Sequence, residues 1–320
     1  MKLFACSIFT LLWAAALYAA PLDRRELPAD VKWFLHIDAD GGRTSQVGSS
    51  LIDATRGDPM VTRALAKFHE VFNIDPTKDL HAVTVYGTDF TPQAAVLIFR
   101  GRLDREKIIS LVQGAPEYHM EIYQSHPLFT WNEAGPGQPP HRSTGAIFDS
   151  ETIIVGPEEA AVKHALDALD KKIPALTSTD SPLAKAGPEG SIVEGGALGL
   201  GTAAGVPLES PVLRQCDYGL MWAGEKDHQV FFGGVAIMSS ADVAEKVSAF
   251  MQGTKALALL NGSGDDADIG HLLAPMQIRT EDRAVNVSWQ MPADKVSEIL
   301  IGSLTKTLGI ERAKGPQTKP

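Results

Sequence analysis

The stretch LPADVKWFLHIDAD, residues 27–40, sets His36, Asp38 and Asp40 at spacings of two. On a strand that spacing brings all three side chains to one face. An imidazole beside carboxylates can converge on a divalent cation, and the pairing of histidine with aspartate suits zinc, manganese or iron. A metal-dependent hydrolase is the chemistry such a site would run. The competing account is plainer. Val31, Trp33, Leu35, Ile37 and Ala39 form the apolar side of a one-sided strand. Lys32, Phe34, His36, Asp38 and Asp40 then form its solvated side, running into a turn at DADGG. The plainer account is the stronger, because no H-x-x-x-H pattern or second acidic cluster supplies further ligands.

Other stretches with chemical promise fall away on inspection. NGSGDDADIGH (261–271) offers Asp265, Asp266, Asp268 and His271 on a glycine-containing loop, but lacks the ligand order and closing glutamate of an EF-hand. GLGTAA (199–204) fits a dinucleotide fingerprint formally, yet Gly205, Pro207 and Pro211 follow where a helix would be required. SLTK (303–306) fits the S-x-x-K pattern, but Ser303 falls late in a helix and no S-D-N or K-T-G accompanies it. Catalytic residues are therefore not assignable. No cofactor is expected beyond the divalent metal that His36, Asp38 and Asp40 would hold.

The elements that must position these residues show an internal repeat. AAVLIFRGRLDREKIISLVQG (94–114) aligns without gaps on GGVAIMSSADVAEKVSAFMQG (233–253), with Val96/Val235, Ile98/Ile237, Glu106/Glu245, Lys107/Lys246, Gln113/Gln252 and Gly114/Gly253 identical. Each copy reads as a strand followed by a helix. Gly114 and Gly253 are expected to end those helices in left-handed geometry, with Leu111 and Phe250 facing the sheet. Leading strands are predicted at 31–38 and 191–200, and a helix pair at about 45–56 and 59–72, split by Pro59. The expected fold class is α+β: two related halves, each a mainly antiparallel sheet with helices on one face, arising by internal duplication. The boundaries are a signal peptide at 1–20, a first half at 21–172, a linker at 173–190 rich in Pro, Ser, Thr and Gly, a second half at 191–308 and a flexible tail at 309–320. Trp33, Trp131, Trp222 and Trp289 all fall in predicted strands, as core filling or as parts of a shared apolar groove.

Residues 1–20, MKLFACSIFTLLWAAALYAA, have the charged start, apolar run and small-residue end of a secretory signal. Cys6 lies too early in that run for a lipidated residue, and no later stretch is apolar enough over ~20 residues to span a membrane. The expected location is periplasmic or extracellular. The net charge of −10, or −11 once Lys2 leaves with the signal, argues against nucleic acid and anionic lipid as partners. Cys216 is then the one remaining cysteine, so no internal disulfide is available. The stretch LPADVKWFLHID directly after the signal resembles the mature start of a group of uncharacterised exported bacterial proteins. That resemblance implies bacterial export and carries over no catalytic residues. The composite expectation is an exported soluble binding or scaffold protein of the cell envelope, with an unknown protein or envelope component as partner. A metal-dependent hydrolase and a carrier of an apolar ligand are the alternatives.

Overall fold

The computed structural model describes residues 20–133, 141–202, 212–261 and 267–308. The expected signal peptide up to Ala19 and the tail from 309 lie outside the described residues. All strands pair antiparallel in one sheet of twelve, so the α+β class holds. The first seven strands are β1 (Trp33–Asp38), β2 (Leu80–Gly87), β3 (Ala95–Gly101), β4 (His119–Tyr123), β5 (His126–Glu133), β6 (His141–Ile147) and β7 (Thr152–Gly156). The remaining five are β8 (Ser191–Leu198), β9 (Cys216–Lys226), β10 (Gln229–Met238), β11 (Gln277–Glu281) and β12 (Ala284–Pro292). Their spatial order is β11-β12-β10-β9-β8-β1-β2-β3-β7-β6-β5-β4. The two leading strands pair with each other at the centre, Leu35 opposite Gly195 and His36 opposite Glu194. The halves therefore share one continuous sheet, where a separate sheet in each half was expected.

Outward from this centre the connectivity is alike on both flanks, β1-β2-β3-β7 on one and β8-β9-β10-β12 on the other. The helices are less alike. Helix α4 (Arg105–Gln113) stops at Gly114 with a right-handed φ of −78°, whereas Gly253 lies inside the longer α6 (Ala241–Asn261). Leu111 and Phe250 are exposed rather than facing the sheet. The sequence repeat thus corresponds to matching strands but not to matching helix ends.

The helices also do not share one face, which corrects the one-sided layout expected from sequence. Alternation along β7 decides it. Ile153 and Val155 pack with Ile108, Ile109 and Val112 of α4, while Ile154 packs with Val162, Ala165 and Leu166 of α5 (Glu159–Leu169). The α4 side is called the front and the α5 side the back. Helix α6 sets Ala244 and Val247 on Met238, Val285 and Ala236, also on the front. Among the described residues the centre of the back has no α-helix over it, only the 3-10 turns Leu176–Ser178 and Pro182–Ala184. It is covered by Leu22, Leu27 and Val31 of the segment after Ala20, together with Leu176, Leu183 and Ala184 of the expected linker. The two segments bond directly, Leu176 N–H to the Leu27 carbonyl (2.8 Å) and Ala29 N–H to the Pro174 carbonyl (2.9 Å). Residues 173–190 are thus a structural part of the core.

Candidate functional site

Burial on β1 is the reverse of the expected pattern. His36, Asp38 and Asp40 are 4, 3 and 5% exposed, while Leu35 and Ile37 are 37 and 41% exposed. His36 and Asp38 lie on the back with Phe34, on the side covered by the 20–31 segment. A row of polar groups crosses the centre of the back, Thr84 of β2, His36 of β1 and Glu194 of β8. His36 donates from Nε2 to the Ala20 carbonyl at 3.0 Å. Its Nδ1 is then the acceptor for the Thr84 hydroxyl at 2.8 Å. Burial holds its pKa below the ordinary histidine value, outweighing the bond to the Ala20 carbonyl and the charges of Asp38 and Glu194 that act the other way. Glu194 accepts from Arg24 Nη2 at 2.5 Å and from Gly187 N–H at 3.0 Å, and Arg24 also reaches the Leu183 carbonyl at 3.1 Å. The polar row thus ties the 20–31 and 173–190 segments to the sheet.

The other two sequence candidates are committed elsewhere. Asp38 accepts from Gly41 N–H at 2.8 Å and so caps a short helix, α1 (Ala39–Thr44), where a turn was expected. Asp40 pairs with Arg43 and with His81 Nδ1 at 2.8 Å. His36, Asp38 and Asp40 therefore share a buried region without converging on one point. Among the described residues, no group of three ligating side chains is placed to hold a metal ion.

What the reversal leaves on the front is an apolar trough. Strand registers line up two rows across the sheet. One runs Val155, Leu97, Val85, Leu35, Gly195 and Met221; the other runs Ile153, Phe99, Val83, Ile37, Val193 and Ala223. Helix α4 covers one end of the rows. At the other end Trp289, in line with the second row, bonds its ring N–H to the Leu272 carbonyl of α7 (Ala267–Leu273). Between these ends Leu35, Ile37 and Met221 are exposed and Val83, Val85 and Val193 half-buried, with Gly195 buried between Leu35 and Met221. The apolar alternation of β1 was legible in sequence but pointed to core. Trp33 follows the same side and lies against Gly87, where a side chain would collide with its ring at 2.5 Å.

Two helices stand beside the trough. α2 (Gln46–Thr55) packs on α8 (Ala293–Leu308). Both Glu225 carboxylate oxygens accept from its first N–H groups, Gln46 at 2.8 Å and Val47 at 3.0 Å. Glu225 alternates with Met221 on the front side of β9. After Gly57, whose φ of +85° suits glycine, comes α3 (Pro59–Phe72), capped by Asp58. It ends at Asn73, which donates to Asp104 at the start of α4 (2.6 Å). Val61, Leu65, Phe68 and Phe72 make one stripe on α3, yet none of its fourteen residues is buried. The helix pair is therefore tethered at the second flank and at the first.

The remaining motifs are seen only in part, since residues 203–211 also lie outside the described residues. Leu200–Thr202 is a single 3-10 turn, Ser303 lies in the late turns of α8, and residues 262–266 lie outside the described residues. Cys216 is buried, which raises its thiol pKa. Among the described residues no helix is long and apolar enough to cross a membrane. No family pattern matches the sequence, and no curated protein matches it significantly. Among solved structures the chain is similar to TP0453, in crystal form III (TM-score 0.42, 9% identity) and crystal form I (TM-score 0.38, 8% identity). Each alignment covers 88% of this chain and 98% of that one. Likeness so remote carries no role across, and the function of this chain has to be read from its own residues.

Proposed function

We propose that the chain is an exported, non-catalytic binding protein that takes an acyl-chain ligand in the front trough, beneath α3. The supporting observation is two unburied apolar surfaces, Leu35, Ile37 and Met221 on the front of the sheet and the stripe of α3, a helix joined through Asn73 to Asp104 at the start of the front-side helix α4. Apolar side chains left open in a central trough offer an apolar ligand a surface to bury. Its size favours a small ligand over a protein. From β3 to β9 the trough spans five strands, roughly 19 Å at ordinary strand spacing. Two rows of side chains give a footprint on the order of 200 Å², against about 800 Å² per partner in a stable protein interface. The strands beneath are central, so no partner strand can pair there. Export rests on the leader sequence alone.

Native mass spectrometry of gently purified protein, before and after incubation with oleate, tests this. One bound chain per protein is expected, and Phe68→Asp on α3 should weaken it. Absence of any adduct after incubation would overturn the proposal.

A further inference from the structure

A second site lies on the back of the sheet, away from the trough. Where β2 ends and α5 begins, a cavity of about 380 Å³ opens over Tyr86. Tyr86 is 1% exposed and its hydroxyl has no hydrogen-bond partner in the structure. Buried hydroxyls are nearly always bonded, and an orphan costs free energy unless something supplies a partner. The cavity is far larger than the roughly 30 Å³ share of one water molecule.

The lining decides which partner fits. Asp30, Asp89 and Glu158 bring three carboxylates, with His164 as the one basic group and neither Lys nor Arg among the lining residues. His164 is already engaged with Asp30, Nε2 to Oδ2 at 3.7 Å. Asp89 is held in place through one oxygen by the Thr91 N–H and hydroxyl, each at 2.6 Å. Glu158 stands at the start of α5 without capping it. An anion would meet like charge on three sides, despite the helix N-terminus nearby. A cation carrying N–H donors meets carboxylates at the rim and, at the floor, a hydroxyl oxygen with free lone pairs.

We propose that this pocket binds an organic cation bearing N–H groups, an ammonium or a guanidinium, with Tyr86 accepting one hydrogen bond and Asp30 countering the charge. The site is independent of the trough and of the acyl-chain reading.

Thermal-shift and calorimetric titrations of the purified protein test it. The probes are methylammonium, methylguanidinium and 1,4-diaminobutane, with tetramethylammonium as a cation lacking N–H groups and acetate as an anion. At least one N–H cation should raise Tm saturably, and neither control should. Tyr86→Phe should weaken binding about tenfold, as loss of a hydrogen bond to a charged group does, while leaving the Tm of the free protein unchanged or higher. Asp30→Asn should weaken it to a similar degree and reduce the salt dependence, which Asp89 and Glu158 still maintain. The proposal is overturned if no N–H cation gives saturable binding, if tetramethylammonium or acetate binds equally well, or if Tyr86→Phe binds normally. A clear drop in the Tm of free Tyr86→Phe would also overturn it, because the hydroxyl would then already be satisfied by water.

Discussion

The two faces of β1 invert the usual arrangement of a strand. Its back carries His36 and Asp38 in the interior, and its front offers Leu35 and Ile37 to solvent. The difference lies in what covers each side. On the back, two segments without helix or strand periodicity supply Leu27, Val31, Leu176 and Leu183, all at most 1% exposed, and close over the polar row. On the front, the flanking helices cover the ends of the sheet and leave its middle open. Buried polar groups are costly unless bonded, and the polar row around His36 satisfies this with Arg24, Glu194, Thr84 and the Ala20 carbonyl, leaving the Tyr86 hydroxyl as an exception on the back. Polarity therefore follows the available partners, and exposed apolar surface marks where a partner is absent.

The most disruptive way to break this contrast is to unpair the back. Glu194→Ala leaves Arg24 buried at 7% exposure without its counter-ion. The expected cost is about 3–5 kcal/mol in urea denaturation. Adjacent residues then compare the faces directly. Phe34 is 3% exposed and sits beneath Arg24, whose guanidinium carbon lies 5.5 Å from the ring centre. Phe34→Ala should cost about 3–5 kcal/mol. Leu35→Ala, one residue along on the front, should cost well under ~1 kcal/mol, because little burial is lost. Equal losses at the two positions would mean that the front is covered in solution.

Acid sharpens the contrast further. Burial depresses the folded-state pKa of His36 below its unfolded value. The unfolded chain therefore binds the proton first as pH falls. The stability from neutral His36 is present above the ordinary histidine range, near pH 6.5, and is lost as pH falls from there through the folded pKa. Urea midpoints measured from pH 8 to pH 5 should fall in the wild type and fall less in His36→Gln. Parallel curves would remove His36 as the cause.

Much of the scaffold was legible in the sequence. Strand alternation located β1, β3, β8 and β10, and Pro59 placed α3 where it begins. Which side of β1 is buried was not legible. Alternation separates two faces but does not say which one is covered, and the cover comes from residues 20–31 and 173–190, whose proline-rich irregularity reads as linker. The His36 cluster was visible as a pattern, but its role depends on Thr84, Glu194 and the Ala20 carbonyl, distant in sequence and joined only by the pairing of β1 with β2 and β8. Tyr86 gave no signal at all, since an orphan hydroxyl in an apolar strand position is defined by what surrounds it.

The central claim is that the open front of β1 is a binding surface, and titration with a fluorescent long-chain fatty acid tests it most directly. Wild-type protein should bind saturably, one ligand per chain. Leu35→Asp/Ile37→Asp should abolish that binding while the folded protein keeps a cooperative urea transition close to that of the wild type, since both side chains already face solvent. Binding that survives the double substitution, or never saturates in the wild type, would contradict the account.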